Sequence, residues 1–263
     1  MRQRIVTGVL AGIVFGIMTI IGGWFYNGIV LALAIIGFYE YARLNGFRPY
    51  EPIVLPAYIG MLAIAFPWQY AGLADPPASA VIWCLMFALL AVTVVTKNKV
   101  TLDSAALMLL GAVYIGYGFS EMIVVRSIEP HGLFLTALAF FCIWASDIGA
   151  YFVGRAIGRT KLWPAISPNK TIEGAVGGIF IALLVGVCFY LAAPERISLE
   201  KVLMIGLLAA VAGQLGDLIQ SAYKRLRGVK DSGNLLPGHG GVLDRCDSWL
   251  IVFPLLTLTG LLP

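Results

Sequence analysis

The sequence predicts an all-α, polytopic integral membrane protein with about nine transmembrane helices and a polar segment between the last two. Three observations carry that prediction. Mean hydropathy is +0.89, and only 12% of the 263 residues are charged. Apolar stretches long enough for a bilayer-spanning helix recur along the whole chain. Against that background, residues 216–247 collect Asp217, Asp231, Asp244 and Asp247, five Lys or Arg residues, and His239. A water-soluble chain of this length does not carry so apolar a composition. The net charge of +4 is small, and no basic stripe alternates with aromatic residues, so nucleic acid is excluded as a partner.

The spans follow in order. Arg2 and Arg4 precede a first span, Ile5 to about Gly23, read as retained because no small-residue cleavage site follows it. Asn27–Tyr41 is the second, and Ile53–Trp68 a short third before the Asp75-Pro76-Pro77 turn. Val81–Thr96 is the fourth, closed by Lys97-Asn98-Lys99. Leu102–Val125, Leu133–Ile157, Thr171–Ala193 and Leu199 to about Ser221 are the fifth to eighth, and Cys246–Leu262 is the ninth. With the N-terminus in the cytoplasm, the cytoplasmic segments carry fifteen of the eighteen Lys and Arg residues, leaving Arg126, Arg196 and Lys201 outside. That positive-inside bias puts the polar segment on the cytoplasmic face. The chain reads as one transmembrane domain, 1–263, with a less specific part over 1–130 and a catalytic half over 131–263. Cys84, Cys142 and Cys188 lie in apolar spans and no C-x-x-C occurs, so neither zinc nor a disulfide framework is expected.

Acidic residues inside spans are costly, by about 2.5–3.5 kcal/mol on insertion scales, and mark cavities or partners. Glu121 lies near an outer end and is expected to snorkel. Asp147 lies in Trp144-Ala145-Ser146-Asp147-Ile148-Gly149-Ala150-Tyr151, where small residues permit close helix packing. In Ser167-Pro168-Asn169-Lys170-Thr171-Ile172-Glu173-Gly174 a helix is expected to start, capped by Thr171 or Asn169, with Lys170 beside its N–H groups in an anion-binding arrangement.

The polar segment has its own spacing. Asp217, Ser221 and Lys224 share one face of a helix, and Asp244 and Asp247 share one if a helix starts there. Between them Pro237-Gly238-His239-Gly240-Gly241 permits positive φ and close approach of a ligand to the backbone. Carboxylates for a hard cation, basic side chains for phosphate oxygens and a glycine-rich turn suit a metal–polyphosphate complex.

Residues 221–247 match, with unbroken spacing, the pattern S-x-x-K-R-x4-K-D-x-G-x2-L-P-x-H-G-G-x-x-D-R-x-D. This stretch resembles the signature of the phosphatidate cytidylyltransferases, or CDP-diacylglycerol synthases. The segments around Asp147 and Lys170 resemble that family's SD-x-GAY and SP-x-KT-x-EG elements, with Ile148 where the family more often has Thr. The resemblance implies transfer of a cytidylyl group from CTP to phosphatidate, giving CDP-diacylglycerol and pyrophosphate at the cytoplasmic face of the plasma (inner) membrane. It further implies Mg²⁺, with room for a second cation, and a homodimer. Metal binding then falls to Asp217, Asp244 and Asp247. Lys224, Arg225 and Lys230 clamp phosphates, and His239 either donates to one or stabilises its own glycine turn. Ser221, Lys170, Asp147, Asp231 and Arg245 contact substrate, the alternative for Arg245 being a pair with Asp231. Two other readings are a cytidylyltransferase acting on a different lipid phosphate and a secondary transporter. The concentration of charge at one interface, without repeated halves, disfavours the transporter. A CDP-alcohol phosphotransferase is disfavoured because its DG-x2-AR pattern is absent.

Overall fold

The structure is a computed structural model that describes residues 2–233 and 240–262, with side chains from residue 8 onward. The helices are α1 (Arg2–Ile21), α2 (Gly23–Leu44), α3 (Val54–Ala65), α4 (Ala78–Val95), α5 (Leu102–Arg126), α6 (Gly132–Ile157), α7 (Ile172–Ala192), α8 (Leu199–Leu226), α9 (Leu243–Cys246) and α10 (Trp249–Leu258). A 3-10 turn, Trp68–Ala71, follows α3. A short antiparallel hairpin of β1 (Lys161–Trp163) and β2 (Ser167–Thr171) joins α6 to α7.

Every predicted span contains a helix, with ends within a few residues of the expectation. Six of them are long and apolar enough to cross a membrane: α2, α4, α5, α6, α7 and α8. Three further apolar stretches, Gly8–Ile21, Val54–Ala65 and Trp249–Leu258, are shorter among the described residues, Gly8–Ile21 being only part of the 20-residue α1, so a count of nine spans is not confirmed. Pro254 lies inside α10, which has only 10 residues.

The chain divides into two compact units, 1–123 with 231–245, and 124–230 with 246–263. In the first, α2 supplies the core. Tyr26, Val30, Ala34 and Phe38, each fully buried, recur every fourth residue and form one stripe along the helix. The Tyr41 hydroxyl donates to the Leu107 carbonyl of α5 at 2.9 Å. Gly111 makes room for its ring, because a Cβ there would overlap the Tyr41 side chain.

In the second unit the helices meet through small residues, as expected of membrane helices. A Cβ on Gly178 would stand 2.6 Å from the Ser146 carbonyl, and one on Gly174 would stand 2.7 Å from that of Ala150. The small residues that follow Asp147 in sequence are thus the contact between α6 and α7. Gln214 of α8 ties in the third helix, its side-chain amide donating to Ser146 Oγ at 3.2 Å and to the Ala175 carbonyl at 3.1 Å. Ser248 Oγ donates to the Gly213 carbonyl at 3.0 Å, which fixes the start of α10 against α8.

The hairpin is the element that hydropathy did not predict. Its strands have 3 and 5 residues, too few for alternation to register. Glu173, in the first turn of α7, closes it by accepting the backbone N–H groups of Arg159 and Thr160, each at 3.1 Å. Thr171 is the helix cap, its Oγ1 accepting Gly174 N–H at 3.1 Å. Glu121 does not snorkel. It is buried within α5 at 8% exposure and hydrogen-bonds Tyr117 one turn away.

Candidate active site

The second unit gathers three carboxylates and two lysines. Asp217 projects from α8, Asp147 from α6, and Asp247 from the turn between α9 and α10. Lys170, near the end of β2, pairs with Asp217, Nζ to Oδ2 at 2.5 Å. On α8 the predicted face is real: Ser221 Oγ, one turn on from Asp217, donates to Asp217 Oδ1 at 3.3 Å, and Lys224 follows on the same side. Lys224 is buried, at 9% exposure.

The Asp147 carboxylate feels Asp217 as a repelling neighbour and Lys170 as an attracting one. Asp247 lies outside the spanning helices. Burial, and then the Asp217 carboxylate, push its carboxyl group up to about 7, with Asp147 adding to the rise. The Ser248 N–H, donating at 2.8 Å to Asp247 Oδ1, and the Lys224 charge oppose that rise. The approach of α8 is close here: a Cβ on Gly216 would stand 2.6 Å from the Asp247 carbonyl.

Asp244 has different company. Helix α9 ends at Cys246, so Asp244 and Asp247 do not share a helix face as their spacing suggested. Asp244 belongs to the first unit, where its Oδ2 accepts Ser232 N–H at 2.8 Å and Gly241 N–H at 2.9 Å. Among the described residues no three His, Cys, Asp or Glu side chains are drawn closely enough together to hold a metal ion. The chemistry of the Asp147, Asp217 and Asp247 set nonetheless fits one. It is all hard oxygen, and its carboxylates repel one another with Lys170 and Lys224 as the cations beside them.

The remaining expected residues divide. Arg225 is exposed, and its guanidinium is turned to the backbone, Nε donating to the Ile166 carbonyl at 3.4 Å and one terminal nitrogen to that of Val229 at 3.3 Å. Arg225 therefore tethers the hairpin to the end of α8, in addition to any phosphate it meets. Lys230, Asp231 and Arg245 are exposed. His239 lies outside the described residues. Gly240 does adopt positive φ, +83°, but the group nearest a Cβ there would be Asp244 Oδ2, at 2.5 Å. The residue that sequence reasoning missed is Glu40, a buried carboxylate of α2 bonded to the loop that precedes α9. In sequence it stands at the end of the second apolar span, three residues before Arg43, and nothing there points to its distant partners.

The profile of the cytidylyltransferase family matches residues 2–262. The chain is 43% identical over 261 residues to a phosphatidate cytidylyltransferase of Bacillus subtilis, covering 97% of this chain and 96% of that protein. It is 38% identical over 258 residues to one from Staphylococcus saprophyticus and 38% identical over 263 residues to one from Staphylococcus aureus, with 98% of each chain covered in both cases.

Proposed function

Because the chain belongs to the cytidylyltransferase family, we propose that it transfers the cytidylyl group of CTP to phosphatidate, releasing pyrophosphate and forming CDP-diacylglycerol. The observation that carries the reading is the Asp147, Asp217 and Asp247 set with Lys170 and Lys224 beside it. Phosphatidate brings its own phosphate oxyanion, so the reaction needs no strong general base. What it needs is alignment of two anions and neutralisation of charge. Lys170 and Lys224 supply positive charge to phosphate oxygens. Ser221 orients the Asp217 carboxylate through its hydrogen bond. Arg225, by holding the hairpin, keeps β2 and hence Lys170 in register with α8. Mg²⁺, held by Asp217 and Asp247 with Asp147 beside them, would neutralise the triphosphate of CTP. Asp244 is a further ligand by family resemblance, although its Oδ2 already holds the loop.

The experiment is a turnover assay in detergent or vesicles with CTP, Mg²⁺ and a panel of lipid phosphates, following pyrophosphate release. Phosphatidate is expected to be the preferred acceptor. EDTA is expected to silence the protein and added Mg²⁺ to restore it. Preference for an isoprenoid phosphate would move the assignment to another lipid cytidylyltransferase, and undiminished turnover in EDTA would remove the metal.

The proposed setting is the plasma membrane, with the polar segment facing the cytoplasm, supported by the charge bias of the loops. A reporter active only in the cytoplasm should work when inserted between Arg227 and Lys230, and the reverse result would overturn this orientation. The whole chain is proposed to act as one catalytic domain, and a homodimer is proposed on family resemblance alone.

A further inference from the structure

Glu40 lies near the C-terminal end of α2, outside the signature segment, with only 4% of its surface exposed. Among the described residues, three side-chain or backbone groups far along the chain donate hydrogen bonds to its carboxylate. Ser232 Oγ donates to Oε2 at 3.0 Å, Val242 N–H to Oε1 at 2.9 Å and Leu243 N–H to Oε2 at 3.0 Å. Both oxygens are engaged, as a buried carboxylate requires. Two signature glycines give it space. A Cβ on Gly233 would stand 2.5 Å from Oε1, and one on Gly241 would overlap Oε2 and Ser232 Oγ. At Gly241, therefore, the missing side chain admits the Glu40 carboxylate.

The same loop has a second acceptor. Asp244 Oδ2 takes the N–H groups of Ser232 and Gly241 at 2.8 and 2.9 Å. Ser232 is thus held by its hydroxyl to Glu40 and by its amide to Asp244. Both flanks of the loop are closed on two carboxylates, one of which belongs to the signature and one of which does not.

We propose that Glu40 is a positioning residue for nucleotide transfer: it fixes Ser232 and the Gly241–Leu243 backbone and so sets the orientation of Asp244. It acts on the loop and not on a reacting atom. The inference rests on the reading that the signature segment serves CTP.

Three variants test it. Glu40→Gln turns an NH₂ group toward N–H or O–H donors. Gly241→Ala pushes a Cβ into the carboxylate, and Ser232→Ala removes a single bond. Each is purified in detergent, its kcat and its KM for CTP are measured, and amide hydrogen exchange is followed by peptide. Glu40→Gln and Gly241→Ala are expected to raise KM for CTP about tenfold or more. Exchange at Val242 and Leu243 should accelerate while α6, α7 and α8 stay protected. Ser232→Ala should move both readouts the same way by less, and the Glu40→Gln/Gly241→Ala double variant should be little worse than either single one. The inference is overturned if Glu40→Gln keeps wild-type KM and wild-type exchange, or if kcat alone falls. Should Glu40→Gln fail to fold, unchanged KM and exchange in both Ser232→Ala and Gly241→Ala overturn it equally. A wild type that does not turn over CTP is a different failure, that of the functional reading itself.

Discussion

Asp217→Asn and Asp247→Asn should each remove nearly all turnover while the detergent-extracted protein remains monodisperse. Asparagine keeps the volume but gives up the charge that makes these side chains ligands for a hard cation. Outer-shell partners of bound metals are commonly worth about 10–100-fold, so a carboxylate that itself holds the ion should cost at least about a hundredfold. The Mg²⁺ concentration for half-maximal activity separates a ligand from a bystander. It should rise sharply in any variant with residual activity. Because the Asp247 carboxyl is pushed up to about 7 by burial and by Asp217, protons compete with the cation there. The Mg²⁺ midpoint of the wild type should therefore rise as pH is lowered through neutrality, and Asp247→Asn should abolish that dependence. Asp244→Asn, measured alongside, judges the third signature aspartate by itself. Wild-type activity and an unchanged Mg²⁺ titration in both Asp217→Asn and Asp247→Asn would rule out the metal centre.

Lys224→Ala carries the second largest expected effect. This lysine is buried in the last turn of α8 and attracts the Asp247 carboxylate. A hydrogen bond to a charged group is worth about 1.5–3 kcal/mol, so kcat/KM should fall roughly ten- to hundredfold if Lys224 clamps a phosphate. The exposed Lys230, truncated in the same way, should fall within the same range if it too meets phosphate. Arg225→Ala tests a different quantity, since its guanidinium holds the Ile166 and Val229 carbonyls. It should loosen the hairpin and expose it to protease. Near-normal turnover in both lysine variants would leave the basic cluster with a topological role only.

The helices were legible because a bilayer imposes length and apolarity on each span, and both are local properties of the chain. The α8 face of Asp217, Ser221 and Lys224 was legible for the same reason, since helical spacing is local. What failed to show is non-local. The Asp244–Asp247 spacing looked like one helix face, but α9 stops between them and the two residues belong to different compact units. Gly241 looked like space for a ligand, yet the space is filled by a carboxylate from α2. Asp147, placed by resemblance with the substrate contacts, stands within electrostatic reach of Asp217 and Asp247. Glu40 itself carried no pattern, because its partners lie 192 to 203 residues away.

That separation bears on how the protein is made. Helix α2 enters the membrane early in synthesis with a carboxylate whose donors have not yet been translated. At about 5–20 residues per second, some 10–40 seconds pass before Leu243 leaves the ribosome. Throughout that interval Glu40 must keep contact with water or with the insertion machinery. The first unit, which includes 231–245, closes only after residue 245 has been made. A nascent chain halted before residue 231 would present α2 with its Glu40 carboxylate lacking the Ser232, Val242 and Leu243 donors.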